Sequence, residues 1–445
     1  MMMEIINPNA AGIDIGSEEI YVAPPEVAGR DAVRKYRTYT PDIRMMVKWL
    51  LECGVTTVAM ESTGVYWIPV YYELESAGMK VCLVNARYLK GLPGRKSDVQ
   101  DCQWMRDMHR IGLTRASFRP KEDIVALRGY MRQRDNLINQ RAVQVNIMQK
   151  TMVEMNVRLD MVLSDVTGMT GLRIMRAIAA GERDKDKLIE LRDKRCKGTV
   201  EEFAKALTCN YRKEQVFILQ QSLKIYDFYT EQLLLCESAI MAQFEVIEVS
   251  HDAEQLPALP ALKDTTKRDS HSKNAPHYDA REAVYRLTGV DLTEITGIMG
   301  GIAQTIISEI GLDMSKWPTS KRFCAWLGLC PRNDITGGKV KKSRLMRGNE
   351  RIGTALRLAA QSASKTKTEL GAYYRRMKAR HDARHATTAT AHKIARILYA
   401  MLKHRTSFKA ASAEEFEKKQ QEQEIRRLHK LAAKLGLQVV QAATQ

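Results

Sequence analysis

The chain has 445 residues, with 70 Lys and Arg against 52 Asp and Glu, giving a formal net charge of +18 and a pI near 9.5. A hydrophobic content of 44% excludes wholesale disorder, and no apolar run approaches the roughly 18 residues of a bilayer span. The first residues, MMMEIINPNA, lack both the basic flank and the apolar stretch of a signal peptide, so a cytoplasmic protein with no membrane partner is expected. The eight cysteines stand singly with no CxxC spacing, which excludes a zinc ribbon and suits a reducing compartment. An excess of positive charge on this scale favours a polyanionic partner, most simply a nucleic acid.

In chain order, AGIDIG reads as a short strand, EEIYVA as its hairpin partner and VRKYRTYT as a third strand. An amphipathic helix over Pro41 to Glu52, the strand TTVAME, a helix over Val65 to Ser76 and the strand KVCLVN follow. This alternation implies a mixed α/β sheet covered on its faces. Pro120-Lys121-Glu122-Asp123 opens a long periodic helix reaching Met155, and a second runs from Lys213 to Ile247. Their length points to coiled-coil packing. The segment between them, with LRDKRCKG, reads as a polar, shorter helical insertion. His251 to Tyr278 reads as a linker, Arg281 to Lys403 as helical, and Ala411 to Leu435 as a charged, solvated helix.

Four acids stand apart by position. Asp14 lies between two isoleucines of a strand, so it faces away from both, and a mid-strand acid is costly unless paired or metal-bound. Glu61 closes the strand TTVAM, where α/β sheets place functional groups. Asp98 and Asp101 share the first turns of a helix capped by Ser97. Together they suit a pair of Mg²⁺ or Mn²⁺ ions about 4 Å apart, one activating the attacking oxygen of a phosphodiester exchange and one steadying the leaving oxygen. Individually, Asp14 also fits a turn with Gly16, Glu61 a helix cap, and Asp98 and Asp101 dipole partners. Strand-Asp-x-Gly also opens the actin-like ATPases, but the second Asp-Gly loop and the adenosine loop of that fold are missing here.

Toward the C-terminus, Gly297-Ile298 with Ala303 and Ile306 suggests a helix-hairpin-helix, with Met299 in place of its second turn glycine. A Gly-Gly turn follows Thr336. The next thirteen residues carry six cations, Lys339, Lys341, Lys342, Arg344, Arg347 and Arg351, against one acid. Such crowding calls for a phosphate backbone among them. A second basic stretch runs from Arg375 to Arg396, and His381 and His385, one turn apart, lack the further ligands of a metal site.

The order AGIDIGS, MESTGVYW, NARYLKGLPGRKSDVQDCQWM, a long helical middle, GIMGGIAQ, WLGLCPRNDITGGK and RGNERI resembles the DEDD insertion-sequence transposases. The resemblance implies a RuvC-like ribonuclease H-fold catalytic domain over 1–117 and a helical coiled-coil middle over 118–250. It implies a mainly helical C-terminal transposase domain over 281–408, and composition outside the resemblance marks a linker over 251–280 and a charged helical tail over 409–445. The family's four acids fall on Asp14, Glu61, Asp98 and Asp101. Its nucleophilic serine falls on Thr336, with Ser343 as the fallback. The implied activity is divalent-metal-dependent cleavage and rejoining of donor and target DNA, guided by a bridge RNA, in a homo-oligomer (dimer or tetramer) whose subunits share active sites. A site-specific DNA invertase of the same superfamily, a junction-resolving nuclease using the acids alone, and a non-catalytic nucleic-acid-binding scaffold are the alternatives.

Overall fold

A computed structural model describes residues 4–25, 33–62, 64–85, 97–249, 256–260, 273–346, 348–409 and 412–437. Thr63, Arg347, Ala411, residues 86–96 of the third motif and most of the expected linker lie outside them. The chain divides into two compact units, Met1–Arg119 and Pro120–Gln445.

The first unit is built on a five-stranded mixed sheet of order β3-β2-β1-β4-β5. Its strands are β1 (Ala10–Ile15), β2 (Glu19–Ala23), β3 (Arg34–Arg37), β4 (Thr57–Glu61) and β5 (Lys80–Val84). The first three form an antiparallel meander, and β4 and β5 run parallel to β1. Parallel strands need crossovers, and α1 (Thr40–Glu52) and α2 (Trp67–Ser76) supply them. Both helices pack on one sheet face, where Ile13, Ile20, Met60, Met46, Leu50 and Leu74 form the core. The opposite face receives α3 (Asp98–Arg110), through Met105 against Ala59 and Val84.

In the second unit the two long helices are α4 (Glu122–Glu154) and α9 (Lys213–Val246). They run antiparallel: Gln243 bonds the Asp123 carbonyl, Arg134 pairs with Glu237, and Arg141 reaches Thr230. The insertion between them is less polar than LRDKRCKG suggests. Its helices α5 (Leu159–Val162), α6 (Met169–Ala180), α7 (Lys185–Glu190) and α8 (Val200–Ala206) enclose a core. There Phe203, Ile174, Ile178 and Leu188 meet Met148, Met152 and Leu219 of the long helices.

The described end of the expected linker is packed rather than free. Arg134 donates to the Asn274 carbonyl, Arg141 to that of Lys273, and His277 bonds Glu237.

The remainder comprises α10 (Ala280–Thr288), α11 (Gly300–Ile310), α12 (Ser320–Trp326), α13 (Glu350–Ala363), α14 (Glu369–Arg380), α15 (Ala383–His404) and α16 (Ala413–Lys434). One departure from the helical expectation is a two-stranded ribbon, β6 (Pro331–Thr336) with β7 (Lys339–Leu345). The tail helix α16 is exposed along its second half, but Phe416 packs on Tyr373, and Glu424 pairs with Arg376 and Arg380 of α14.

Candidate active site

Strand register brings the first two acids together. In the parallel pairing of β1 and β4, Ile13 lies opposite Met60, so the following residues, Asp14 and Glu61, end adjacent strands side by side. Side chains alternate along a strand. Ala11, Ile13, Val58 and Met60 point into the core under α1 and α2. Gly12 and Asp14 therefore face α3, as do Ala59 and Glu61.

The helix delivers the other two acids. Ser97 caps α3 by accepting the Gln100 N–H, and Asp98 and Asp101 occupy the first turn, where carboxylates favour the helix dipole. Gly12 lets the helix close on the strand. A Cβ there would lie 2.1 Å from the Cys102 carbonyl oxygen and 2.4 Å from the Arg106 nitrogen. Farther along, buried His109 is held between Thr57 Oγ1 at 2.8 Å and Thr114 Oγ1 at 2.7 Å. Arg106, also buried, donates to the Pro24 carbonyl and to Asp107.

The electrostatic result is concentrated on Asp14. Burial, then the negative charges of Asp98, Asp101 and Glu61, push its carboxyl up to about 6. The Cys102 thiol beside it is pushed up to about 12, by burial first and by the Asp14 charge second. Burial alone lowers the His109 imidazole, so it serves as a neutral strut. Among the described residues no three His, Cys, Asp or Glu side chains converge closely enough to hold one ion. The donor set is all hard oxygen, and a half-buried carboxylate raised by three like charges is a site that a divalent cation relieves. In chemistry, though not in geometry, this donor set is of the kind divalent cations take.

Gly12, Cys102, Arg106 and His109 escaped the sequence reading. Gly12 alone carried a signal, since a glycine inside a strand marks close backbone approach. Gly12→Ala is expected to force α3 outward, costing about 1–3 kcal/mol as overpacking does. It should also separate Asp98 and Asp101 from Asp14. Thermal melts together with a metal-dependent cleavage assay check this; an unchanged Tm with full cleavage refutes it.

The second group of expected residues lies on the β6–β7 ribbon. Gly337 and Gly338 have φ of 57° and 77°, the two positive values of a two-residue type I′ turn. Thr336 precedes the turn and pairs with Lys339, while Ser343 pairs with Asn333. The whole of β7 is exposed, including Lys339, Lys341, Lys342 and Arg344. Arg351, on α13, is ion-paired to Asp135 and to Glu309. Much of the second basic stretch is likewise committed: Arg375 caps the Ser364 and Thr366 carbonyls, and Lys393 pairs with Glu369. Gly297 of the suspected helix-hairpin-helix has φ of 95° and abuts the Ala359 carbonyl on α13, so its turn serves packing between helices. His385 is exposed and bonds Asp382.

Comparison with known proteins adds an independent line. A family model described as a transposase, the DEDD transposase of IS110, matches residues 11–157, which contain all four acids. A second, described as a transposase of the IS116/IS110/IS902 family, matches residues 291–375, which contain the ribbon. The chain is also 31% identical over 124 residues to a "Probable family 20 transposase" of Pseudomonas aeruginosa, across 26% of this chain and 36% of that protein. The match thus spans little more than a third of the relative's length. The two matched segments together cover about half of the chain, which belongs to the IS110-type DEDD transposases.

Proposed function

We propose that the protein is a divalent-metal-dependent DNA recombinase that cleaves and rejoins donor and target strands of an insertion sequence. What supports this reading is that Asp14 of β1, Glu61 of β4 and Asp98 and Asp101 of α3 lie on one side of the sheet, near enough for the other three charges to raise the Asp14 carboxyl. The β3-β2-β1-β4-β5 sheet, with its antiparallel meander and two parallel crossovers, supports a RuvC-like ribonuclease H fold for the first unit. Held by these carboxylates, Mg²⁺ or Mn²⁺ would supply Lewis-acid stabilisation of charge on the phosphodiester. The protein's own contribution there is positional. The β1–β4 register fixes two carboxylates, the Ser97 cap and the Gly12 contact fix the helix that bears the others, and His109 locks that helix to β4.

In the second unit, Thr336 is the candidate strand-transfer nucleophile, and Lys339, Lys341, Lys342 and Arg344 are the candidate phosphate contacts. A threonine hydroxyl attacks as a serine does, although its methyl restricts χ1. A bridge RNA and a homo-oligomer of two or four chains complete the reading. The net charge of +18 supports binding of RNA together with two DNA duplexes.

Thr336→Val tests the nucleophile, because it keeps the shape and removes the hydroxyl. We expect the covalent protein–DNA adduct and strand exchange to disappear while DNA binding is retained. An adduct that survives in this variant moves the role to another residue, with Ser343 the first to try.

A further inference from the structure

The ribbon is two-faced. Directly opposed residues of an antiparallel pair project to the same side, with Cβ atoms about 4.5–5.5 Å apart. One face therefore holds the pairs Arg332–Arg344, Asp334–Lys342 and Thr336–Lys339. The other holds Pro331–Leu345, Asn333–Ser343 and Ile335–Val340. The register shifts between Asp334 and Ile335, which leaves Lys341 as an unpaired bulge residue. Apart from that bulge, every charge of the ribbon lies on the Thr336 face.

On the charged face Asp334 is neighboured by Arg332, at 3.9 Å. Lys339, Lys342 and Arg344 have no acidic partner among the described residues and are exposed. The opposite face is uncharged, with Ile335, Val340 and Leu345 exposed. A phosphate backbone lying on the cationic face meets the Thr336 hydroxyl and turns away from Ser343. The cation nearest that hydroxyl by register is Lys339, fixed opposite it by the two-glycine turn.

We infer that Lys339 is a catalytic residue of strand transfer, its ammonium resting on the nonbridging oxygens of the phosphodiester that Thr336 attacks. This rests on Thr336 being the nucleophile. In the step, the bond from Thr336 Oγ1 to phosphorus forms and the bond from phosphorus to the departing deoxyribose oxygen breaks. The threonine proton passes through water to that departing oxygen. Lys339 keeps its proton throughout and offsets the charge that accumulates on phosphorus-bound oxygens, as preorganised donors do in acyl and phosphoryl transfer.

The test uses full-length protein, a duplex carrying the element's own terminus, and the RNA transcribed from its flank. Adduct formation is timed on denaturing gels, and binding is measured separately across a salt series. Lys339→Met should slow adduct formation about 10²-fold, the effect of deleting one such donor. Its binding should change only by the loss of about one unit of salt slope.

The double variant Lys339→Val with Val340→Lys keeps charge and composition but moves the ammonium to the other face. It should lose the same unit of salt slope as Lys339→Met and react as slowly. Wild-type rates in either Lys339 variant, or rate losses no larger than the binding losses, overturn the assignment of Lys339 alone. An adduct absent from wild-type protein, or persisting in Thr336→Val, overturns the nucleophile and this inference with it.

Discussion

Asp14→Asn should abolish strand cleavage, by about 10³-fold or more, while making the metal-free protein more stable at pH 7. The first effect follows from losing a carboxylate at the centre of the four-acid site, where a metal ion is worth several kcal/mol to a phosphoryl transition state. The second follows from the direction of the Asp14 shift. Its carboxyl is raised to about 6 in the folded protein against 3.8 when unperturbed, so the folded state holds its proton more tightly than the unfolded state. The stabilisation from protonated Asp14 is therefore complete below about pH 4 and is lost as pH rises through about 6. Above that, the ionised carboxylate is a load on the fold, and Asn, which stays neutral, removes it.

Melting curves in chelator should accordingly show the variant above the wild type at pH 7, and the two converging near pH 4. Adding Mg²⁺ should raise the wild type and leave the variant unmoved. Cleavage by the wild type at limiting metal should fall as pH is lowered, as protons compete with metal for Asp14. A variant that cleaves normally, or that melts below the wild type at pH 7 in chelator, removes Asp14 from the metal site.

How far the sequence anticipated this arrangement can be judged residue by residue. Asp14 was legible because period-two alternation around Ile13 and Ile15 forces an acid onto the other face of a strand. Asp98 and Asp101 were legible because Ser97 announces the helix start three residues ahead of the bonded N–H. Their placement on one side of the sheet depends on the β1–β4 register and on the Gly12 contact, which join segments some 45 and 90 residues apart and leave no local pattern.

The ribbon was missed for a different reason. KVKKSRL does not alternate, because the bulge at Lys341 reverses the phase midway; once that residue is set aside, charge and apolarity segregate cleanly. The insertion around Phe203 was misread as polar because its apolar residues are spread over four short helices rather than one stripe. The ion pairs of Arg351 were invisible because its partners, Asp135 and Glu309, are remote in sequence.

Those partners lead to the largest stability effect expected in the second unit, at Glu309. This carboxylate, at the end of α11, is 1% exposed and gathers three guanidinium groups. Arg132 meets it through two nitrogens at 3.1 Å each, Arg128 approaches to 3.3 Å and Arg351 to 3.2 Å. Asn349, the N-cap of α13, donates to it at 3.3 Å. One buried anion thus joins α4, α11 and the start of α13. The same stretch anchors the ribbon's base, where a Cβ on Gly348 would lie 2.2 Å from the Gly328 nitrogen.

Removing one member of a buried charge cluster leaves the others uncompensated and typically costs 3–5 kcal/mol. Arg132 is half exposed and Arg351 keeps Asp135, so solvent and that second acid soften the loss. Glu309→Gln, which preserves shape, is therefore expected to cost about 3 kcal/mol, read as a lower urea midpoint at unchanged slope. Because Asn349 loses an anchor with it, strand transfer through the ribbon should weaken more than Mg²⁺ binding at Asp14, which lies in the other unit. A urea midpoint within error of the wild type would show that the arginines re-pair without Glu309, and that this cluster is a surface ornament on the helices rather than their junction.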